Sequence, residues 1–246
     1  MPRTAVIFGA SGAQGSAVCK LLDAKGWHLI MAARNADRLE DAASELENAQ
    51  TVQADATKPD EVARVFETAR EVGEVSAVAN FAGSVYLKPA HLTSDHDWAE
   101  TIALNLDSAF FVLREAVKEM KRARTQGSIV LMSSAASQIG LSNHEAIAAA
   151  KGGVAALARS AAATYASAGI RVNAVAPGLV ESGMTERLVK NEGSRKTSER
   201  MHPLGRIGQA DDIASIVVYL LEAESGWITG QTFTVDGGRS SIKMVG

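Results

Sequence analysis

Gly9, Gly12 and Gly15 fall within seven residues, Gly9-Ala10-Ser11-Gly12-Ala13-Gln14-Gly15, directly after the first apolar run of the chain. Glycines between a strand and a helix allow a tight turn and let the backbone approach a pyrophosphate. The charge of that group is stabilised by the free amides of the helix N-terminus. The stretch predicts a dinucleotide site that includes Ser11 and Gln14, against the competing reading that such a turn needs glycine for steric reasons alone. The second apolar run ends Met31-Ala32-Ala33-Arg34-Asn35. An acid here would hold a ribose with free hydroxyls, whereas the planar cationic fork of arginine suits a 2'-phosphate. Arg34, with Ala33 in place of an acid, therefore favours NADP(H) over NAD(H), unless it is only a solvated charge at a strand end. His91 and His96 lie close to Asp95 and Asp97. Ser94 before an apolar helix reads as an N-cap followed by acids in the first turn, so no metal site is expected.

These residues need a scaffold, and the rest of the chain describes one. Short runs rich in Val, Ile and Ala predict strands near 3–8, 28–33, 50–54, 75–80, 127–133, 170–175 and 231–235. Segments of helical period lie between them near 14–25, 36–47, 59–71, 95–122, 144–167 and 209–222. Continuous apolar strands alternating with helices mean a parallel sheet buried on both faces, so the fold class is α/β, a doubly wound Rossmann-type sheet. At 246 residues one domain suffices, because such folds run this long undivided. The stretch 181–208 is the most polar and least periodic and is expected to form a mobile flap over the substrate.

A net charge of -3 excludes a general polyanion binder, and nucleic acid is not an expected partner. No apolar stretch reaches the roughly 18 residues that span a bilayer. The single cysteine, Cys19, has no partner for an intrachain disulfide, and no signal-peptide pattern opens the chain, so a cytoplasmic protein is expected.

From the first strand to Asp236-Gly237-Gly238 the chain resembles the short-chain dehydrogenase/reductase family. Asp55, in Ala54-Asp55-Ala56-Thr57, matches the family's adenine-contacting acid, and Asn80-Phe81-Ala82-Gly83 its Asn-Asn-Ala-Gly element with the second Asn replaced. Asn105 matches the catalytic-site asparagine of the long central helix, Ser134 the catalytic serine after the fifth strand, and Lys151 the helix lysine. Pro177-Gly178 with Val180 and Ser182 resembles the element beside the nicotinamide, and Ile228-Thr229-Gly230-Gln231 begins a closing stretch typical of the family. The resemblance implies a small-molecule substrate and a cofactor held by the glycine turn, Arg34, Asp55, Ala56, Asn80, Ala82, Gly83, Lys151, Pro177, Gly178 and Val180. It also implies a homotetramer, with contact faces on the 95–122 and 144–167 helices and on the strand and tail at 231–246.

Two departures stand out. Ala13 occupies the place of the second glycine in the family's Gly-x-x-x-Gly-x-Gly spacing, which cofactor binding should survive because alanine is small. The larger departure is Ile147, four residues before Lys151 and 13 after Ser134, where the family carries the tyrosine that gives a proton to the carbonyl oxygen. An isoleucine has no proton to give. On a helix, residues 144, 147, 148 and 151 lie along one stripe, so His144 could serve as the acid; its competing role is a local cap at the helix start. Reduction of an activated C=C bond, with protonation on carbon, would fit such a site. Two functions stay open: an NADP-dependent oxidoreductase with a non-standard proton donor, and a nucleotide-binding relative without turnover that acts as a partner or regulatory subunit. Asn105, Ser134 and Lys151 together favour the enzyme, since a pure binding module has no evident need of all three. Tyr86, Leu87, Leu141, Val180, Met184 and Leu188 suggest an apolar substrate pocket.

Overall fold

Apolar residues along five of the strands face both ways in the computed structural model, which describes residues 3–243. In β1 (Arg3–Phe8), Val6 and Phe8 enter one core while Ala5 and Ile7 enter the other. The same division recurs in β2 (His28–Ala33), β4 (Glu74–Asn80), β5 (Gly127–Met132) and β6 (Ile170–Pro177). A strand apolar on both sides must be covered on both sides, which is why the strand runs read as continuous rather than alternating. With β3 (Ala49–Gln53) and β7 (Thr232–Val235) the strands form one parallel sheet in the order β3-β2-β1-β4-β5-β6-β7.

One face is covered by α3 (Pro59–Val72), α5 (Ser108–Ala123) and α6 (Glu145–Tyr165), the other by α1 (Ala13–Asp23), α2 (Ala36–Ala43) and α9 (Ala210–Leu221). The strand order reverses between β1 and β4, so their connections leave on opposite sides and open a crevice at the C-terminal ends. The expected doubly wound α/β fold is the observed one. Among the described residues no helix is long and apolar enough to cross a membrane. The last three residues of the 231–246 contact surface lie outside the described residues.

One expectation is corrected. The 95–122 helix is broken into α4 (Asp95–Ile102) and α5 by a π-helical turn at Ala103–Asp107. The Asn105 amide donates to the Thr101 carbonyl at 2.9 Å, and Ser108 Oγ donates to the Leu104 carbonyl at 2.8 Å, so side chains take carbonyls within the α-helical hydrogen-bond run. The irregular 181–208 stretch contains α7 (Glu186–Val189) and α8 (Glu192–Arg200). Helix α8 buries no residue and carries Glu192–Lys196 and Arg195–Glu199 pairs, so it has no apolar period to detect.

Candidate active site

A cavity of about 640 Å³ lies over the C-terminal ends of the strands. Its floor at one end is the turn after β1. Gly9 has φ of +71°, and a Cβ there would stand 2.7 Å from the Phe81 carbonyl carbon. A Cβ on Gly15 would collide with the Gly9 carbonyl oxygen, so Gly15 is what lets α1 start directly on the turn. Gly12 caps α1 with no side-chain acceptor, and the first turn holds no acid. The leading amides of α1 are thus open to an anion, with the helix dipole behind them. Ala13 is the first residue of α1 and lines the cavity, as do Ser11 and Gln14.

Beyond β2, Arg34 is exposed on the cavity rim, and its carbonyl accepts from Gln53 Nε2 at 2.9 Å. Arg38 stands beside it in the wall, because Asn35 caps α2 by accepting from the Arg38 amide at 2.8 Å. Asp55 is held by Thr57, whose amide and hydroxyl donate to one carboxylate oxygen at 2.9 and 2.8 Å. Ala56, Ala82, Gly83, Pro177, Gly178 and Val180 also line the cavity. Asn80 does not: it is 2% exposed and shapes the turn from behind, accepting from the Ala82 amide at 3.0 Å.

At the other end Ser134, Ile147, Lys151 and Asn105 share the wall. Ser134 caps a 3₁₀ turn, its Oγ accepting from the Ala136 amide at 3.2 Å. Lys151 Nζ donates to the Met132 carbonyl at 2.9 Å, and burial pulls the pKa of this amine down to about 8. Asn105 accepts from the Ser84 amide at 3.1 Å and donates to the Ser84 hydroxyl at 3.1 Å. Gly83 makes room for both: a Cβ there would stand 2.8 Å from Asn105 Oδ1 and 3.4 Å from Lys151 Nζ. Ser133, which sequence reasoning passed over, ties the two elements by donating to the Lys151 carbonyl at 2.8 Å.

His144 is not brought to the cavity. It precedes α6 as its N-cap, with φ of -110° and ψ of 12°, and Nδ1 lies 2.7 Å from the Ser142 carbonyl. The helical stripe therefore begins only after it, and Ile147 and Lys151 alone face inward. Of the apolar substrate residues expected, Val180 and Met184 line the cavity, whereas Tyr86, Leu87, Leu141 and Leu188 do not. Ser94 caps α4 as expected, and with Asp97 it forms a capping box. Among the described residues no His, Cys, Asp and Glu side chains gather as a metal site.

The 181–208 segment closes the cavity beside Gly178. Thr185 Oγ1 donates to the Val180 carbonyl at 2.6 Å and accepts from the Ser182 amide at 3.0 Å. Glu181 takes both amino groups of Arg195 at 3.0 Å, accepts from Gln209 Nε2 at 3.1 Å, and is held near pKa 2 chiefly by the Arg195 hydrogen bonds. One carboxylate thus ties the start of the segment to its middle and to Gln209 just past its end.

A parallel sheet with a phosphate-sized turn at its switch point defines a dinucleotide-binding α/β protein, and the open amides, glycine floor and long cavity fit that group. Comparison narrows the class. The chain belongs to the short-chain dehydrogenase/reductase family, whose members are NAD(P)-dependent oxidoreductases; residues 9–240 match the family profile described as enoyl-(acyl carrier protein) reductase. It is 32% identical over 237 residues to the 3-oxoacyl-(acyl-carrier-protein) reductase of Rickettsia felis, covering 96% of each chain. It is 30% identical over 247 residues to a Bacillus subtilis protein named "Probable 2,4-dienoyl-CoA reductase", again covering 96% of each. A short-chain type dehydrogenase/reductase of Mycobacterium ulcerans has a similar structure, with TM-score 0.92 and 28% identity over 97% of this chain and 90% of that one.

Proposed function

We propose that this chain is an NADP(H)-dependent reductase of C=C bonds conjugated to a carbonyl, and that plain ketones are poorer substrates. The observation that carries this reading is the cavity wall. Its only titratable groups among the described residues are Arg34, Arg38, Asp55 and Lys151, and Ile147 stands beside Lys151 with no phenol, imidazole or thiol in the wall. A bound NADPH supplies a hydride. Arg34 and Arg38 provide two cations for its 2'-phosphate, and the Gly9–Gly15 turn offers amides to the pyrophosphate.

The Lys151 ammonium and the Ser134 hydroxyl hold the substrate oxygen, where negative charge develops when the far carbon is reduced. The Met132 carbonyl keeps Lys151 in place. With a pKa of about 8, Lys151 is also the one group at this end suited to pass a proton at neutral pH, through water to the substrate carbon. His144 takes no part. A ketone is harder work, because the alkoxide it forms is more basic than an enolate and Ile147 leaves no phenol there to protonate it.

The relatives named for enoyl and dienoyl reduction support this reading. The test is NADPH oxidation with 2-enones, 2-enoyl thioesters and simple ketones, for wild type, His144→Ala and Ile147→Tyr. Conjugated substrates should lead ketones by at least about tenfold, and His144→Ala should change nothing. Ile147→Tyr should raise ketone reduction toward the 10²–10⁴ that general acid catalysis typically contributes. Ketones reduced as fast as enones by the wild type would overturn the proposal. If no substrate oxidises NADPH and Ile147→Tyr gains nothing, the chain is a binding subunit without turnover.

The proposal extends to assembly as a cytoplasmic homotetramer. Trp98 on α4 and Phe110 on α5 are 46% and 45% exposed, apolar surface that a partner subunit would cover. Light scattering that gives a monomer at micromolar concentration would refute this part.

A further inference from the structure

A second cavity, about 590 Å³, opens at the opposite end of the sheet, among the N-terminal ends of β4, β5 and β6. We propose that it binds a small aromatic carboxylate. Its walls include Trp27, Trp227, Arg3 and Arg171, with Ser76 among the other lining residues. Trp227 is fully exposed, a whole indole offered to solvent. The Arg3 guanidinium lies 4.4 Å from the centre of the Trp27 ring, which fixes it at the mouth as a cation on an aromatic face. Arg171 donates to the carbonyls of Ile228 and Glu222 at 3.3 and 2.9 Å and, among the described residues, has no carboxylate partner. The Glu222 carboxylate, close enough to Arg3 to feel its charge, is engaged by Lys25 at 3.3 Å and by Trp27 Nε1 at 2.9 Å. Ser76 Oγ is buried without a hydrogen-bond partner.

The unmet needs of this cavity describe its ligand. Neither guanidinium forms an ion pair among the described residues, and arginine forks suit a planar carboxylate. An exposed indole asks for a flat apolar body, and the volume lies within the range of small-molecule sites. The orphaned Ser76 hydroxyl asks for one polar contact. None of these features belongs to the cofactor cavity, which lies beyond the far ends of the same strands.

The probe is 2-naphthoate, measured by calorimetry and by the indole N–H signals of the three tryptophans, with neutral 2-naphthamide as control. One naphthoate per chain should bind, moving the Trp27 and Trp227 signals and leaving Trp98 unmoved. Arg3→Ala and Trp227→Ala, both at exposed positions, should each weaken binding about tenfold, as should replacing the carboxylate by the amide. The proposal is overturned if millimolar naphthoate gives no heat and no shift. It is equally overturned if the amide binds as well, or if both variants bind as tightly as wild type, which would locate the ligand elsewhere.

Discussion

Lys151 offers the sharpest test of the site because its energetic cost to the fold can be worked out. Lys151 is 8% exposed, its amine donates to the Met132 carbonyl, and burial lowers its pKa from 10.5 to about 8. Below pH 8 the lysine is charged both folded and unfolded, so the folded state carries the whole cost of burying an ammonium. Between about 8 and 10.5 the folded protein releases the proton while the unfolded chain keeps it. The unfolded state then binds more protons, and stability rises with pH across that window. At about 1.4 kcal/mol per pH unit the cost at pH 7 is on the order of 3 kcal/mol. Lys151→Met keeps the length and removes the charge, but leaves the Met132 carbonyl without its donor, which costs roughly 1 kcal/mol. The variant should therefore be more stable than wild type by about 2 kcal/mol at pH 7 and less stable by about 1 kcal/mol near pH 10.5. Urea denaturation of both proteins without cofactor, at one protomer concentration and several pH values, measures this difference while their common titrations cancel. A difference that stays flat with pH, or that moves in the variant's favour as pH rises, would refute the assignment. The same titration should govern turnover: if the ammonium holds and protonates the substrate, reduction by wild type falls as pH rises through about 8.

Other consequences are as direct. Arg34→Ala should weaken NADPH binding about tenfold and leave NADH unchanged, with Arg38→Ala acting in the same direction; fluorescence titration of both cofactors decides it, and equal wild-type affinities would remove the case for the 2'-phosphate. Glu181→Gln should loosen the 181–208 segment, raising KM for substrate several-fold with little change in cofactor affinity. Because Arg195 holds the Glu181 carboxylate near pKa 2, the contact is complete above about pH 4.5 and is lost only as pH falls toward 2, so proteolysis within 181–208 should be independent of pH from 5 to 8 in the wild type. Gly9→Ala should destabilise the fold by at least about 1 kcal/mol and weaken both cofactors alike, since it combines a φ of +71° with a 2.7 Å approach to Phe81; unchanged thermal unfolding would contradict that reading.

What the sequence reveals, and what it hides, follows from what each residue packs against. The five inner strands are legible because both of their faces are buried, and all seven predicted runs coincide with β1 to β7 to within one residue, except that β6 runs two residues further. The glycine turn is legible because its backbone geometry leaves no alternative to Gly9 and Gly15. Helix α8 is hidden because a helix with no buried face has no period, and Arg38 because nothing in its type distinguishes it from a solvated charge until the Asn35 cap sets the direction of α2. The stripe argument for His144 fails for a local reason: the residue that caps a helix has non-helical dihedrals, so helical spacing cannot be extended back through it. Asn105 shows the opposite case, a polar residue in a helical pattern whose amide takes a carbonyl of the preceding turn and goes with a π turn.

The energetics of Lys151 also bear on the two functions the sequence leaves open. Methionine there should make the fold more stable at neutral pH, so the buried ammonium is a cost that a bound group must offset. A cofactor hydroxyl next to Nζ would offset part of it in either function, whereas an oxygen that becomes negative would offset it only in an enzyme. Ser134 and Asn105 stand in the same wall, and Ile147 puts no phenol there, so under the proposed function the ammonium stabilises negative charge on a substrate oxygen. An enolate needs less of that help than the more basic alkoxide, and this is why conjugated substrates and Ile147→Tyr, tested together, would distinguish the proposed active site from an inert copy of one.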